Sequence, residues 1–117
     1  MEERRLIAKA KRGSKKCANE IVMRHIGFVA YRLHKRGWPD LVRRYGEDLL
    51  SESIPLLYQQ IKTYDLNYTD GDGNPKPVKF VSYIWKRVDG FIIGSLQREN
   101  RREKQELRID ALIPDRV

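Results

Sequence analysis

Thiols, imidazoles and long apolar runs are scarce in this chain of 117 residues, which holds one cysteine, two histidines and no membrane-length hydrophobic stretch. A lone Cys17 cannot build a disulfide framework and suits a reducing compartment. The charged start MEERRLIAKAKRG is unlike a secretory leader, so a cytoplasmic location with no membrane partner is expected. His25 and His34 stand nine residues apart on one predicted helix, on opposed faces, and cannot share a metal; both read as ordinary surface histidines. Asp70, Asp72 and Asn74 mimic the opening of a calcium loop, yet Pro75 stands where its glycine belongs and Val81 where its bidentate glutamate does. No metal or other cofactor is therefore expected. A nucleophile elbow, a glycine-rich phosphate loop and an HExxH pattern are also missing, so the chain does not read as an enzyme. Strand-type alternation and internal repeats are absent as well, which leaves an all-α fold.

What the chain has in abundance is charge, unevenly dealt. Residues 1 to 44 carry 13 Lys/Arg against 4 Asp/Glu, residues 45 to 74 carry 1 against 6, and residues 75 to 108 carry 9 against 4, within a net charge of +8. A basic, acidic, basic order on one small domain suggests two kinds of partner surface.

Apolar spacing predicts about four helices in a compact bundle. Leu6, Ile7 and Ala10 mark a short first helix that Gly13 ends, with Ser14 capping the next. Ile21, Val22, Ile26, Val29, Ala30 and Leu33 then define a long helix over residues 15 to 35. Gly37 and Pro39 break it, Trp38 is expected to plug the junction, and Leu41 to Tyr45 reads as one separate turn before Gly46. Leu50, Ile54, Leu57, Ile61 and Tyr64 share a stripe on a third helix, in which Pro55 should cause a kink or break near Ser51. Residues 65 to 77, DLNYTDGDGNPKP, form a loop. The last helix carries Val81, Ile84, Val88, Phe91, Ile92 and Leu96 on its core face and continues as a long charged stretch. Its Gly90 and Gly94 suggest close approach of a helix or a ligand backbone. A domain over residues 1 to 105, followed by a tail over 106 to 117, is the expected division.

The segment KFVSYIWKRVDGFII combines an apolar stripe with aromatics and basic residues, a pairing that suits unpaired nucleic acid. Aromatics at helical spacing usually belong to the core, and Trp85 is assigned there. Tyr83 falls at the stripe's edge, half-exposed and able to stack, with Phe80 near it. The basic residues of the first third suit solvated helix faces. Arg98, Arg101 and Arg102 are interleaved with Glu99, Glu103 and Glu106, which fits a self-paired helix as well as it fits phosphate contact.

Residues 48 to 65, DLLSESIPLLYQQIKTYD, resemble the DLxxEGxxGLxxAxxxFD motif of region 2 of the bacterial sigma factors, the promoter-recognising subunits of RNA polymerase, at Asp48, Leu49, Glu52, Leu57, Ile61, Tyr64 and Asp65. The following KFVSYIWKRVDGFIIGSLQ is similar to that family's KFSTYAxxxIRGAIxDxLR at Lys79, Phe80, Ser82, Tyr83, Arg87, Val88, Gly90, Ile92 and Leu96. With a similar opening segment, the resemblance covers about residues 6 to 105. It implies a sigma region 2-like bundle that docks on the β′ clamp helices of core RNA polymerase through Asp48, Ser51, Glu52, Pro55 and Gln59. It also implies capture of a flipped adenine of the −10 element, on the non-template single strand of promoter DNA, by Phe80 and Tyr83. Lys79, Ser82, Lys86 and Arg87 would hold the flanking strand, with Arg98, Arg101 and Arg102 as further DNA contacts.

The sequence also departs from the family. Lys86 and Arg87 occupy the positions of the tryptophan wedge, Asp89 replaces a basic residue, Ser53 replaces the motif's glycine, Pro55 has no common counterpart, and the loop before Val78 is long. The resemblance does not extend to a reader of the −35 element, which is what a phage-encoded sigma factor, a split one whose second subunit reads upstream DNA, or a fragment of a longer factor is expected to show. Two other readings stand beside this one. A polymerase-binding regulator would compete with the resident sigma factor without reading promoters, motivated by the missing wedge and Asp89. A general basic helical nucleic-acid binder would show steep salt dependence and no sequence preference.

Overall fold

Ser14 marks the first change of direction: its hydroxyl accepts the Cys17 N–H at 3.2 Å, and the preceding Gly13 takes φ +109°, which a residue with a side chain rarely adopts. In this computed structural model, which describes residues 2–69, 71–75 and 78–112 and side chains as far as Leu107, those two residues separate helix α1 (Glu3–Lys11) from α2 (Lys15–Arg36). Helices α3 (Pro39–Thr63) and α4 (Phe80–Leu112) complete an all-α bundle, with α2 packed against each of the other three. The only β feature among the described residues is an isolated bridge between Thr69 and Pro75 in the loop before α4. No described helix is long and apolar enough to cross a membrane.

Leu6 and Ile7 of α1, and Ile21, Val22, Val29 and Leu33 of α2, are buried as their spacing predicts. His25 departs from the surface role expected of it. It is buried, with Nδ1 2.7 Å from the Ile21 carbonyl and its ring edge-on to Phe80 at 4.9 Å, while His34 is exposed.

Gly37, not Trp38, closes the α2–α3 junction. A Cβ on Gly37 would lie 2.5 Å from Val42 Cγ2, 2.7 Å from the Leu33 carbonyl oxygen and 2.8 Å from Leu96 Cδ1, so three helices meet on its bare backbone. Trp38 is 48% exposed, which corrects the plug assigned to it.

Helix α3 is continuous from Pro39 to Thr63, so neither the separate turn over Leu41 to Tyr45 nor a break near Ser51, the stronger of the two effects expected of Pro55, occurs. Gly46 is buried against Leu33, and Pro55 faces solvent, where water can serve the Ser51 carbonyl that loses its helical donor. The buried stripe runs through Val42, Gly46, Leu49, Ser53, Leu57, Ile61 and Tyr64, so the small residues set the core face and Leu50 and Ile54 fall to its edge. Ser53 fits because its hydroxyl donates to the Leu50 carbonyl at 2.6 Å. At the far end, Lys11 Nζ donates to the carbonyls of Lys62 (2.8 Å) and Tyr64 (2.7 Å), placing a cation where the helix leaves its acceptors unpaired.

Helix α4 buries Phe80, Ile84, Val88, Ile92 and Leu96 completely, one every four residues, with Val81 and Phe91 only partly covered. Gly90 and Gly94 approach nothing: a Cβ on either meets open space. From Gln97 to Leu107 no side chain is buried, and this arm is tied back by Glu103, which accepts from Arg44 at 2.9 Å and from the Tyr45 hydroxyl at 2.7 Å. The helix runs through the expected domain boundary at residue 105, so the segment assigned as a tail begins as helix; residues 113–117, like Asp70, Lys76 and Pro77 of the loop, lie outside the described residues.

Candidate functional site

The entry to α4 is fixed from below. Phe80 is fully buried between His25 and Tyr64, and its backbone N–H points to Glu3 Oε2 at 3.5 Å, a carboxylate at the positive end of the helix. Burial removes Phe80 as a stacking surface and corrects its place among the base contacts. Its ring instead supports the next aromatic.

Tyr83 is 37% exposed, in agreement with the half-exposed position expected. Its ring stands edge-on to Tyr64 at 5.4 Å, and its hydroxyl is 2.7 Å from Thr63 Oγ1. The Thr63 hydroxyl has carbonyl acceptors at 3.3 Å and 3.4 Å, on Gln60 and Gln59, so the Tyr83 hydroxyl is the donor toward Thr63. Tyr64 is itself held by a hydrogen bond from its hydroxyl to the Val78 carbonyl, and burial pushes its phenol pKa up, keeping it neutral. Tyr83 is thus anchored at both edge and tip, with part of its surface left open.

Lys86 and Arg87 are exposed and stand three and four after Tyr83, which puts both on its side of α4; Lys79 is exposed just before the helix begins, and its carbonyl accepts the Tyr83 N–H at 3.1 Å. Ser82 is exposed but belongs to a different group: it lines a groove with Phe28, Arg32, Val81 and Trp85. Arg98, Arg101 and Arg102 are exposed about 20–30 Å further along the axis. Arg98 donates to Ser95 Oγ at 3.1 Å, while Arg102 has Glu99 and Glu106 each at 3.9 Å, the self-pairing that the sequence allowed.

Asp48, Ser51, Glu52, Pro55 and Gln59 are all exposed, and their spacing lines them along one outer stripe of α3. Neither Asp48 nor Glu52 forms an ion pair among the described residues, so both carboxylates are open to a cationic partner. The stripe ends one turn before Thr63, whose hydroxyl holds Tyr83.

Asp89 does not present free negative charge to this surface. Arg32 grips both its oxygens, at 2.8 Å and 2.5 Å, and Arg36 lies 4.0 Å away. The Arg32 hydrogen bonds hold the Asp89 carboxyl below the usual aspartate range against the opposing effect of burial. Trp85, assigned to the core by its spacing, is 48% exposed, with the Arg32 guanidinium 5.4 Å from its ring centroid. The signal that could have found this cluster is Arg32 itself, a cation on the inward side of α2 that requires a carboxylate opposite.

Among the described residues no group of three His, Cys, Asp or Glu side chains is arranged to hold a metal. Comparison of the chain with known protein families, with characterised proteins and with solved structures finds no match.

Proposed function

We propose that the protein is a non-catalytic promoter-recognition subunit, which binds core RNA polymerase through the exposed α3 stripe and captures an unpaired base of a −10-like element on Tyr83. The observation that carries this reading is the setting of Tyr83: a half-exposed ring, anchored by Tyr64 and Thr63, among Lys79, Lys86 and Arg87. Extruding a base costs a few kcal/mol, and stacking returns about 1–3 kcal/mol per base, so one fixed platform with flanking cations offsets much of that cost. An anchored ring loses little freedom on binding. The cations act on phosphates and position the strand without reading its sequence.

Lys86 and Arg87 in place of an aromatic wedge make strand separation the weak step, so the subunit should work best where melting is assisted. The experiment is co-purification with a bacterial core RNA polymerase, followed by transcription from a duplex promoter and from the same promoter premelted at its −10 region. Initiation that exceeds the core enzyme alone, greater on the premelted template, supports the reading; no association with core polymerase overturns it.

The rival reading, a competitor of the resident sigma factor, rests on the missing wedge and on the charge of Asp89. With Asp89 taken up by Arg32 and Arg36, only the wedge still favours it. Inhibition of a resident sigma factor without any initiation on the premelted template would select the competitor.

A further inference from the structure

Helix α2 opens against its own dipole. Its first turn holds Lys15 and Lys16 and no acid, where the positive end of a helix favours carboxylates. Nothing nearby relieves that charge. Residues 4 to 19 carry seven Lys/Arg and no Asp/Glu, residues 53 to 64 of the facing α3 carry no Asp/Glu either, and Glu20, the next acid along α2, is taken by Arg24 at 2.6 Å. Arg4 and Lys11 are occupied by the carbonyls of Leu66, Lys62 and Tyr64. Lys15, Lys16 and Lys62 are exposed and form no ion pair among the described residues. Beside them, between the α1–α2 turn and the last turns of α3, lies a groove of about 440 Å³. Its floor is apolar, made by Ala10, Ala18 and the Tyr58 ring, with Lys15 and Lys62 at its rim. A hydrogen bond from the Tyr58 hydroxyl to Asn19 Oδ1 holds the ring, so the floor is preformed.

We propose that this groove is a docking site for an acidic protein segment carrying one bulky apolar anchor, separate from the α3 stripe of Asp48 and Glu52 and independent of the promoter-recognition reading. The anchor covers Ala10, Ala18 and Tyr58, and carboxylates on either side of it meet Lys15, Lys16 and Lys62, where the positive end of α2 adds to the attraction. A bare polyanion would answer the cations and leave the apolar floor unused. A neutral apolar peptide would cover the floor and leave the cations unanswered. An acidic segment with an anchor does both, in the usual arrangement of an apolar centre and a charged rim.

The probe is a short helical peptide with a single leucine among glutamates, titrated into the nitrogen-15-labelled protein. Saturable shifts of the Ala10, Ala18 and Asn19 amides are expected, with those of Tyr83 and Lys86 unmoved. Lys15→Glu combined with Lys62→Glu should weaken the peptide about ten-fold or more; both positions are exposed, and an acid at 15 suits the start of α2, so folding is not at risk. The same peptide with alanine for its leucine should bind about ten-fold more weakly. Unmoved amides in the groove, or equal binding by the alanine peptide, overturns the site. A single-stranded oligodeoxynucleotide that shifts the same amides and displaces the peptide also overturns it and makes the region a nucleic-acid contact. The double variant should co-purify with core RNA polymerase as the native protein does; loss of that association would make the groove part of the α3 docking face and overturn a separate site. If the native protein itself fails to bind polymerase, the promoter-recognition reading falls while the peptide result still decides this one.

Discussion

Arg32 and Asp89 form a two-pronged ion pair that ties α2 to α4, with side chains only 10% and 17% exposed. Two charges so far from water are stable only together, and losing one strands the other. Asp89→Leu alone should therefore cost about 3 kcal/mol of stability, as should Arg32→Met alone. Replacing both with apolar residues of similar size, Arg32→Met with Asp89→Leu, should recover most of it. Urea unfolding of the four proteins measures the coupling, and additive losses would show that the pair does not act as a unit.

The same pair sets an acid limb on stability. Asp89 is held below its ordinary value of 3.8, so as pH falls the unfolded chain takes the proton first. The contribution is complete above that ordinary value and is lost as pH falls through the folded one. The stability gap between the native protein and Asp89→Asn should therefore be constant near neutrality and shrink below about pH 4. Urea midpoints across that range check it; a gap unaffected by pH contradicts it.

Glycine has opposite meanings in two helices. Gly37→Ala forces a Cβ into Val42, Leu96 and the Leu33 carbonyl, the last of which is backbone and cannot step aside, and should destabilise by about 1–3 kcal/mol. Gly90→Ala and Gly94→Ala meet open space inside a helix and should each stabilise by up to about 1 kcal/mol. Thermal unfolding distinguishes the two signs.

Charge reversal of Asp48 and Glu52 to Lys should leave thermal stability near its native value, because both are exposed and unpaired among the described residues. Binding to core RNA polymerase should fall about ten-fold or more if the α3 stripe is the docking face. Unaltered association would take the docking role away from these residues.

The helices and their core faces were legible wherever large apolar residues carried the pattern, as in Phe80-to-Leu96 and Ile21-to-Leu33. The misreadings share a cause. Gly46 and Ser53 hold core positions, and Gly37 the α2–α3 junction, by being small, which periodicity of large residues does not detect, so spacing alone predicts a division in α3 where the helix is continuous. Pro55 leaves α3 continuous with its ring on the exposed side, an orientation that depends on which stripe is buried. At the candidate site the half-exposure of Tyr83 followed from its place at the stripe's edge, while the exposure of Trp85 and the burial of His25 depend on partners from other helices: Arg32, Asp89 and Phe80. Contacts between elements distant in sequence are what a single helix's spacing does not carry.

The most direct test of promoter recognition is transcription by core RNA polymerase from a −10-premelted template with the native protein and with Tyr83→Ala, both first shown to co-purify with the polymerase. The expected result is initiation with the native protein and a loss of about ten-fold or more with Tyr83→Ala at equal polymerase binding. Equal initiation by the two proteins would contradict base capture by Tyr83.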